Sequence, residues 1–525
     1  MREVRWWILF VAVGFALGGC DSTSSSPDGG DGTGDVEEED GPGEVAEETD
    51  TTPPPLVWGD CITSEWPSGY PLPAAGVECT AIDVPIDYSN PAAGTIALNV
   101  GRLMSRNYPT GKAVFHLAGG PGGASVSQSG IIPRIMPELL PDFDLVYVDQ
   151  RGTGQSGYMA CPGGYPETLA GWTGCATRWA SRDLNHYLTV DAAHDLDAVR
   201  RRLGYDRITI RGGSYGTRLG LEYLRQHGDT VVAAVLDGLA PPDVDLFAQG
   251  VTVFDHGVDL LVADCAADPA CIAVSPDLHN ELHARLDQLR ATPRPIALDG
   301  SPDFEDEATF LMLLQAFLYD AYWRFDVPRA IHQAALGDNT RWNALMSDAS
   351  GYTVTDRAKS GAPSRERAPF RWVPRRRVEL AQDYVSPGLF ITVVCAEWLP
   401  NSAGADALRT LLATQQWQDD THIILADACP AWNVDPVDAS LRQAVTSDVP
   451  TLLMNGEIDL NTPQEWGPHA ALTLANGTSL LVPYATHSTM SVPCAAQIMS
   501  RFFINDGRIE SVDTSCLSAI PHPGW

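Results

Sequence analysis

Basic residues are scarce in this chain: 34 Lys and Arg stand against 67 Asp and Glu in 525 residues, a formal net charge of −33. Such a surface repels phosphate backbones, which argues against a nucleic-acid partner. Part of the excess is local, because residues 21–50 hold twelve Asp or Glu and no Lys or Arg. Without that stretch and the first twenty residues, 54 acidic and 32 basic residues remain. No C-x-x-C or H-E-x-x-H spacing occurs, so the common zinc sites are missing and no metal is expected. The glycine-rich run at 119–123 lacks the Lys and Ser/Thr of a phosphate-cradling loop, and no organic cofactor is expected either. The first apolar run, residues 6–17, is twelve long. Spanning a bilayer takes about 20 residues.

That run has the form of an export signal instead. Arg2 and Arg5 precede it, and it ends in Leu17-Gly18-Gly19-Cys20, which resembles the bacterial lipobox, where the cysteine is acylated. The alternative is an ordinary cleaved signal with an incidental cysteine. Residues 1–20 are thus expected to be a lipoprotein signal with Cys20 as the lipidated residue, and residues 21–55 a disordered acidic tether. This predicts a cell-envelope lipoprotein, on the periplasmic side or the cell surface, or a secreted protein. Two or more acyl chains, at about 0.8 kcal/mol per buried CH₂, would hold it on a membrane. Ten further cysteines agree with an oxidising compartment: Cys61, Cys79, Cys161, Cys175, Cys265, Cys271, Cys395, Cys429, Cys494 and Cys516. They allow up to five disulfides; pairing between neighbours is the simplest of the open possibilities.

With 44% hydrophobic residues the body can bury a large core plus an insertion. Residues 82–88 and 95–103 read as antiparallel strands joined at Asn90-Pro91. Short continuous apolar runs at 113–117, 145–148, 207–210, 231–236, 451–454 and 479–482 have the pattern of strands buried on both faces. Helical spacing at 190–203, 217–226 and 490–503 alternates with them, which implies a parallel sheet covered on both sides. Residues 241–390 break the alternation with helical patterns such as 278–289 and 309–322, then an Arg-rich stretch at 357–377. The expected organisation is a sheet domain in two parts, 56–240 and 391–525, interrupted by a helical lid at 241–390; two independent domains are the alternative.

One short motif supplies a nucleophile. Gly212-Gly213-Ser214-Tyr215-Gly216 follows the strand at 207–210 and opens a helix, so Ser214 sits on a tight strand-to-helix turn. Such a turn needs glycine where neighbouring chains pack close, and the following helix aims its positive N-terminus at a developing oxyanion. The backbone N–H of Tyr215 is one expected donor. A second comes from the glycine loop after 113–117, with Gly119 and Gly120 as candidates. A hydrolase of this kind takes its acid and base later, in the order Ser, Asp, His. Asp459 and His487 each follow a strand end and satisfy that order; Asp237, also past a strand, is the rival acid.

Together the segments GGPGG (119–123), DQRGTGQSG (149–157), GGSYGT (212–217), VLDG (235–238) and NGEIDLNTP (455–463) resemble the proline iminopeptidase and tripeptidyl-aminopeptidase branch of the α/β-hydrolases, more closely its secreted tripeptidyl-aminopeptidase side. The resemblance implies an α/β-hydrolase fold and a serine aminopeptidase acting on short peptides with free N-termini. It also implies a carboxylate for the substrate's ammonium; Glu397, in Val393-Val394-Cys395-Ala396-Glu397, occupies the matching segment. Two departures stand out. Ala118 replaces the histidine usual before GGPGG, which speaks against a strict proline iminopeptidase, and His487 is flanked by Thr486 and Ser488 rather than glycines. An esterase or lipase with the same three residues, or a non-catalytic binding protein with a relict site, are the other readings.

Overall fold

The structure is a computed structural model that describes residues 54–62, 72–166, 168–298, 301–319, 321–350, 354–356, 385–415, 421–522 and 524–525. The expected signal with Cys20, nearly all of the acidic tether, and the Arg-rich stretch lie outside the described residues. The chain lays down seven strands first: β1 (Gly59–Asp60), β2 (Glu78–Pro85), β3 (Thr95–Leu103), β4 (Ala113–Leu117), β5 (Asp144–Val148), β6 (Ile208–Gly213) and β7 (Val231–Asp237). Next come β8 (Arg294–Leu298), β9 (Ser301–Glu305) and β10 (Val354–Asp356), then β11 (Thr451–Gly456) and β12 (Gly477–Val482). Among the described residues nine strands form one sheet in the order β1-β2-β3-β5-β4-β6-β7-β11-β12. From β5 to β12 neighbouring strands run parallel, and β2 and β3 pair antiparallel with Pro85 opposite Thr95.

The apolar runs become strands because both sheet faces are covered. On β4, Ala113, Phe115 and Leu117 enter one apolar cluster and Val114 the other, the alternation that pleating imposes. Helices Thr189–Leu203 and Tyr215–His227 cover the first face, and Pro493–Ile504 packs on the second. Leu56 to Trp525 forms one compact unit.

The inserted region is mostly helical and has its own apolar cluster, including Phe254, Leu282, Phe310, Phe317 and Trp342. It also contains a small antiparallel sheet, β10-β8-β9, which the helical expectation omits. Helix Leu246–Ala267 joins the two parts. Its stripe places Phe247 and Val251 in the sheet core, and Phe254, Val258 and Leu261 in the insertion's core. The 22-residue helix is apolar and long enough to cross a membrane, yet half of its most apolar window is buried inside the protein. The chain rejoins the sheet domain by Val385, which bridges to Gly123, a little before the expected boundary.

Candidate active site

Ser214 stands between β6 and helix Tyr215–His227 with φ 55° and ψ −127°. A non-glycine residue holds such a conformation only when its surroundings dictate it. Here they do. Its N–H donates to the Asp237 carbonyl at 2.9 Å, and its carbonyl accepts from the Thr217 N–H at 2.8 Å and hydroxyl at 2.6 Å. A Cβ on Gly212 would overlap the Gly216 carbonyl, and one on Gly216 the Leu117 carbonyl, so the turn closes only with glycine at both places.

Asp459 and His487 come together past the ends of β11 and β12. His487 Nδ1 lies 2.8 Å from Asp459 Oδ2 and 3.0 Å from Oδ1. The carboxylate also accepts the N–H groups of Asn461 (2.8 Å) and Thr462 (2.9 Å) and the Thr462 hydroxyl (2.6 Å). Burial disfavours the charged imidazole, but the Asp459 charge and hydrogen bond outweigh it, so the His487 pKa is raised. Burial likewise disfavours the Asp459 carboxylate, yet His487 and Thr462 hold its pKa below the ordinary value. The His487 loop is constrained on both sides, with Tyr484 at φ 56° and Ser488 at φ 73°. Among the described residues its hydrogen bonds use Nδ1 alone, which leaves Nε2 for a serine proton. No hydrogen bond to Ser214 is closed, a looseness common before substrate completes such a site. Gly238 links the two neighbourhoods: it follows Asp237, whose carbonyl accepts the Ser214 backbone N–H, and a Cβ on Gly238 would lie 3.1 Å from His487 Cε1.

Asp237, the rival acid, is otherwise engaged. It accepts from Arg211 at 3.0 Å, from the Thr489 N–H at 2.9 Å and from the Thr489 hydroxyl at 2.8 Å. It therefore ties β7 to the turn after His487. In the glycine loop, Gly119 borders the serine directly, since a Cβ there would lie 2.9 Å from Ser214 Cβ, whereas one on Gly120 would meet Gly122 and Gly123 within the loop. In the DQRGTGQSG segment, Arg151 is architectural. Buried Arg151 binds both oxygens of Asp195 (2.6 and 2.7 Å) and the carbonyls of Pro85, Ile86 and His186.

Thr462 closes an Asp-x-x-Thr run from Asp459, the sequence pattern of a side chain capping its own turn. Tyr319 carries no local sequence signal for its role. It ends helix Glu307–Tyr319 of the insertion, and its ring centre lies 5.2 Å from that of His487, which places the insertion over the site.

Glu397 requires a correction. It was expected to face a substrate's ammonium, but it is 3% exposed and already paired. Its oxygens accept from Arg218 Nε (2.9 Å), the Thr189 N–H (2.8 Å) and the Thr189 hydroxyl (2.8 Å). The guanidinium balances the carboxylate's charge, which removes the attraction a free ammonium would need. Among the described residues no cluster of His, Cys, Asp or Glu could hold a metal ion.

A largely parallel sheet with helices on both faces, a strained serine on a strand-to-helix turn and an Asp–His pair past later strand ends together define an α/β-hydrolase. A family model described as alpha/beta hydrolase fold matches residues 112–465, more than half of the chain, and the chain belongs to that family. Serine protease Hip1 of Mycobacterium tuberculosis (strain ATCC 25618 / H37Rv) is 37% identical over 103 residues, 18% of this chain and 19% of that protein. Proline iminopeptidase of Arabidopsis thaliana is 31% identical over 146 residues, 27% of this chain and 31% of that protein. The chain thus spans about a fifth to a third of the length of these curated relatives. A crystal structure of proline iminopeptidase from Mycobacterium smegmatis covers 81% of this chain and 98% of its own, at 16% identity and a TM-score of 0.38. The resemblance of the motifs to proline iminopeptidases agrees with the Arabidopsis relative.

Proposed function

We propose that the protein is an exported serine peptidase that releases short peptides or amino acids from free N-termini through an acyl-enzyme on Ser214. The observations that carry this reading are a serine held at φ 55° on a strand-to-helix turn and an Asp–His pair joined at 2.8 Å past the ends of later strands of the same sheet. His487 Nε2 accepts the Ser214 proton as Oγ attacks the scissile carbonyl, while Asp459 holds the Nδ1–H tautomer and stabilises the imidazolium. The N–H of Tyr215 and that of Gly119 or Gly120 receive the oxyanion. His487 then protonates the leaving amine, and water deprotonated by the same imidazole releases the acyl group.

Peptide rather than ester chemistry is supported by the five sequence segments and by the partial likeness to a serine protease and to proline iminopeptidases. Restriction to short chains is supported by Tyr319, which brings the insertion against the catalytic imidazole. Export, with Cys20 as lipid anchor, is supported by the leader and by five disulfides. With Glu397 engaged by Arg218, no carboxylate is assigned to the substrate's ammonium.

Ser214→Ala should lower kcat by about four to six orders of magnitude and abolish labelling by a fluorophosphonate probe. Near-normal turnover by that variant would overturn the assignment. A scan of di-, tri- and tetrapeptide anilides with free and blocked N-termini, beside nitrophenyl esters, tests the substrate class. Turnover of the esters alone would make the protein a carboxylesterase.

A further inference from the structure

Behind the nucleophile lies a buried polar network that the reaction as written leaves unused. Its members are Glu397, Arg218, Thr189 and Tyr215, each at most 4% exposed, with Gln150 at its end. The connections have a definite direction. Glu397 as a carboxylate only accepts, so the Thr189 hydroxyl must donate to Glu397 Oε2 at 2.8 Å. Thr189 Oγ1 is then the acceptor in its 2.7 Å contact with the Tyr215 hydroxyl. Gln150 Nε2 in turn donates to that hydroxyl at 3.2 Å. Burial, together with the Glu397 charge, pushes the Tyr215 hydroxyl above its ordinary pKa and keeps it a donor.

The network grips one place. Tyr215 and Arg218 are three residues apart, on one face of the first turn of helix Tyr215–His227. Glu397 holds Arg218 directly, at 2.9 Å, and Tyr215 through Thr189. That first turn begins with the Tyr215 N–H, directly after Ser214, and an oxyanion donor acts only if it is fixed before charge develops. The gripping residue lies on a distant part of the chain, in the π-helical turn Val394–Trp398, which the Cys395–Cys429 disulfide ties down. Irregular turns of this kind are frequent at functional sites. A buried ion pair contributes little stability compared with apolar packing, so stability alone is a weak reason to place one here.

We propose that Glu397, paired with Arg218 and acting through Thr189, is a positioning residue that holds Tyr215 so that its backbone N–H meets the oxyanion formed at Ser214. This deepens the hydrolase reading and rests on it. The role differs from ammonium binding in its kinetic signature. A misplaced oxyanion donor lowers kcat on every acyl substrate alike, whereas a lost ammonium partner raises KM for free amines only.

The test uses the full chain and compares Tyr215→Phe, Thr189→Val, Glu397→Gln and the Glu397→Gln/Tyr215→Phe double variant, each with its thermal midpoint. Substrates are one free-amine peptide anilide and one N-blocked ester. The single variants should lose about tenfold in kcat on both substrates, with KM within about twofold. This is less than the hundredfold or more caused by removing an oxyanion donor outright. The double variant should lose no more than Glu397→Gln alone, because both changes act through one path. Tyr215→Phe keeps the ring and its volume, so it and Thr189→Val decide the matter even if Glu397→Gln fails to fold. Wild-type kcat in Tyr215→Phe, losses that multiply in the double variant, or a KM effect confined to free amines would each overturn the proposal. If Ser214→Ala itself retains turnover, the hydrolase reading falls. If Ser214→Ala is inactive while Tyr215→Phe is unimpaired, only the positioning role falls.

Discussion

At Ser214 the backbone conformation, φ 55° and ψ −127°, costs a serine on the order of 1–3 kcal/mol. Glycine adopts it freely, so Ser214→Gly should raise stability by about 1 kcal/mol in denaturant unfolding while abolishing activity, even after allowing for glycine's freer unfolded chain. A drop in stability would mean the turn is not strained. For His487 the relevant variable is pH. The imidazole must be neutral to take a proton, and its pKa lies above the ordinary 6.5, so kcat/KM should fall as pH drops through that raised value. Asp459→Asn removes the charge that raises it. The acid limb should then move to lower pH and kcat should fall about 10⁴-fold; a limb that stays in place would show that Asp459 does not set it. The turn that carries Ser214 and the strand-end positions of Asp459 and His487 were legible from local pattern, with Asp237 at a strand end as well. Glu397 was misread because its partners Thr189 and Arg218 lie 208 and 179 residues away, and no local pattern records such a pair.

Among the elements, the sheet strands were legible and the insertion less so. Runs such as Ala113–Leu117 are buried on both faces and so are continuously apolar. Strands β8 and β9 escaped notice because their sequences, RPIAL and SPDFE, hold prolines and charges. Arg294 and Arg285 meet in a buried ionic cluster with Glu305, which breaks the apolar period. The helical span expected over 309–322 is described as helix in Glu307–Tyr319 and in Ala321–Arg324. Within that span Tyr319 is the residue lying against His487. Tyr319→Ala should therefore lower kcat/KM for a short peptide anilide by about three- to tenfold, leaving the thermal midpoint near wild type. Unchanged kinetics would show that the insertion does not help form the site.

Over the whole molecule, all five disulfides join consecutive cysteines: Cys61–Cys79, Cys161–Cys175, Cys265–Cys271, Cys395–Cys429 and Cys494–Cys516. Each staples a local loop, so none forces the topology. The chain-entropy model ranks them by loop length. Replacing both cysteines of the pair separated by 34 residues, Cys395–Cys429, should cost about 3–4 kcal/mol, and the pair separated by 6, Cys265–Cys271, about 2 kcal/mol. Paired thermal and denaturant unfolding of the two double variants checks the order; a reversed order would mean that native-state effects at those sites outweigh loop entropy.

By itself the sequence determined the alternation of buried strands and helices, the serine turn and the placing of Asp459 and His487 past later strand ends. Each depends on neighbours along the chain: apolar period, glycine at a crowded turn, a polar residue just past a strand. Tertiary structure alone decided which aspartate meets His487, what lies over the imidazole and where the Glu397 charge is spent. Those outcomes depend on side chains brought together from hundreds of residues apart, where burial and hydrogen-bond geometry select one partner among several of the same chemical type.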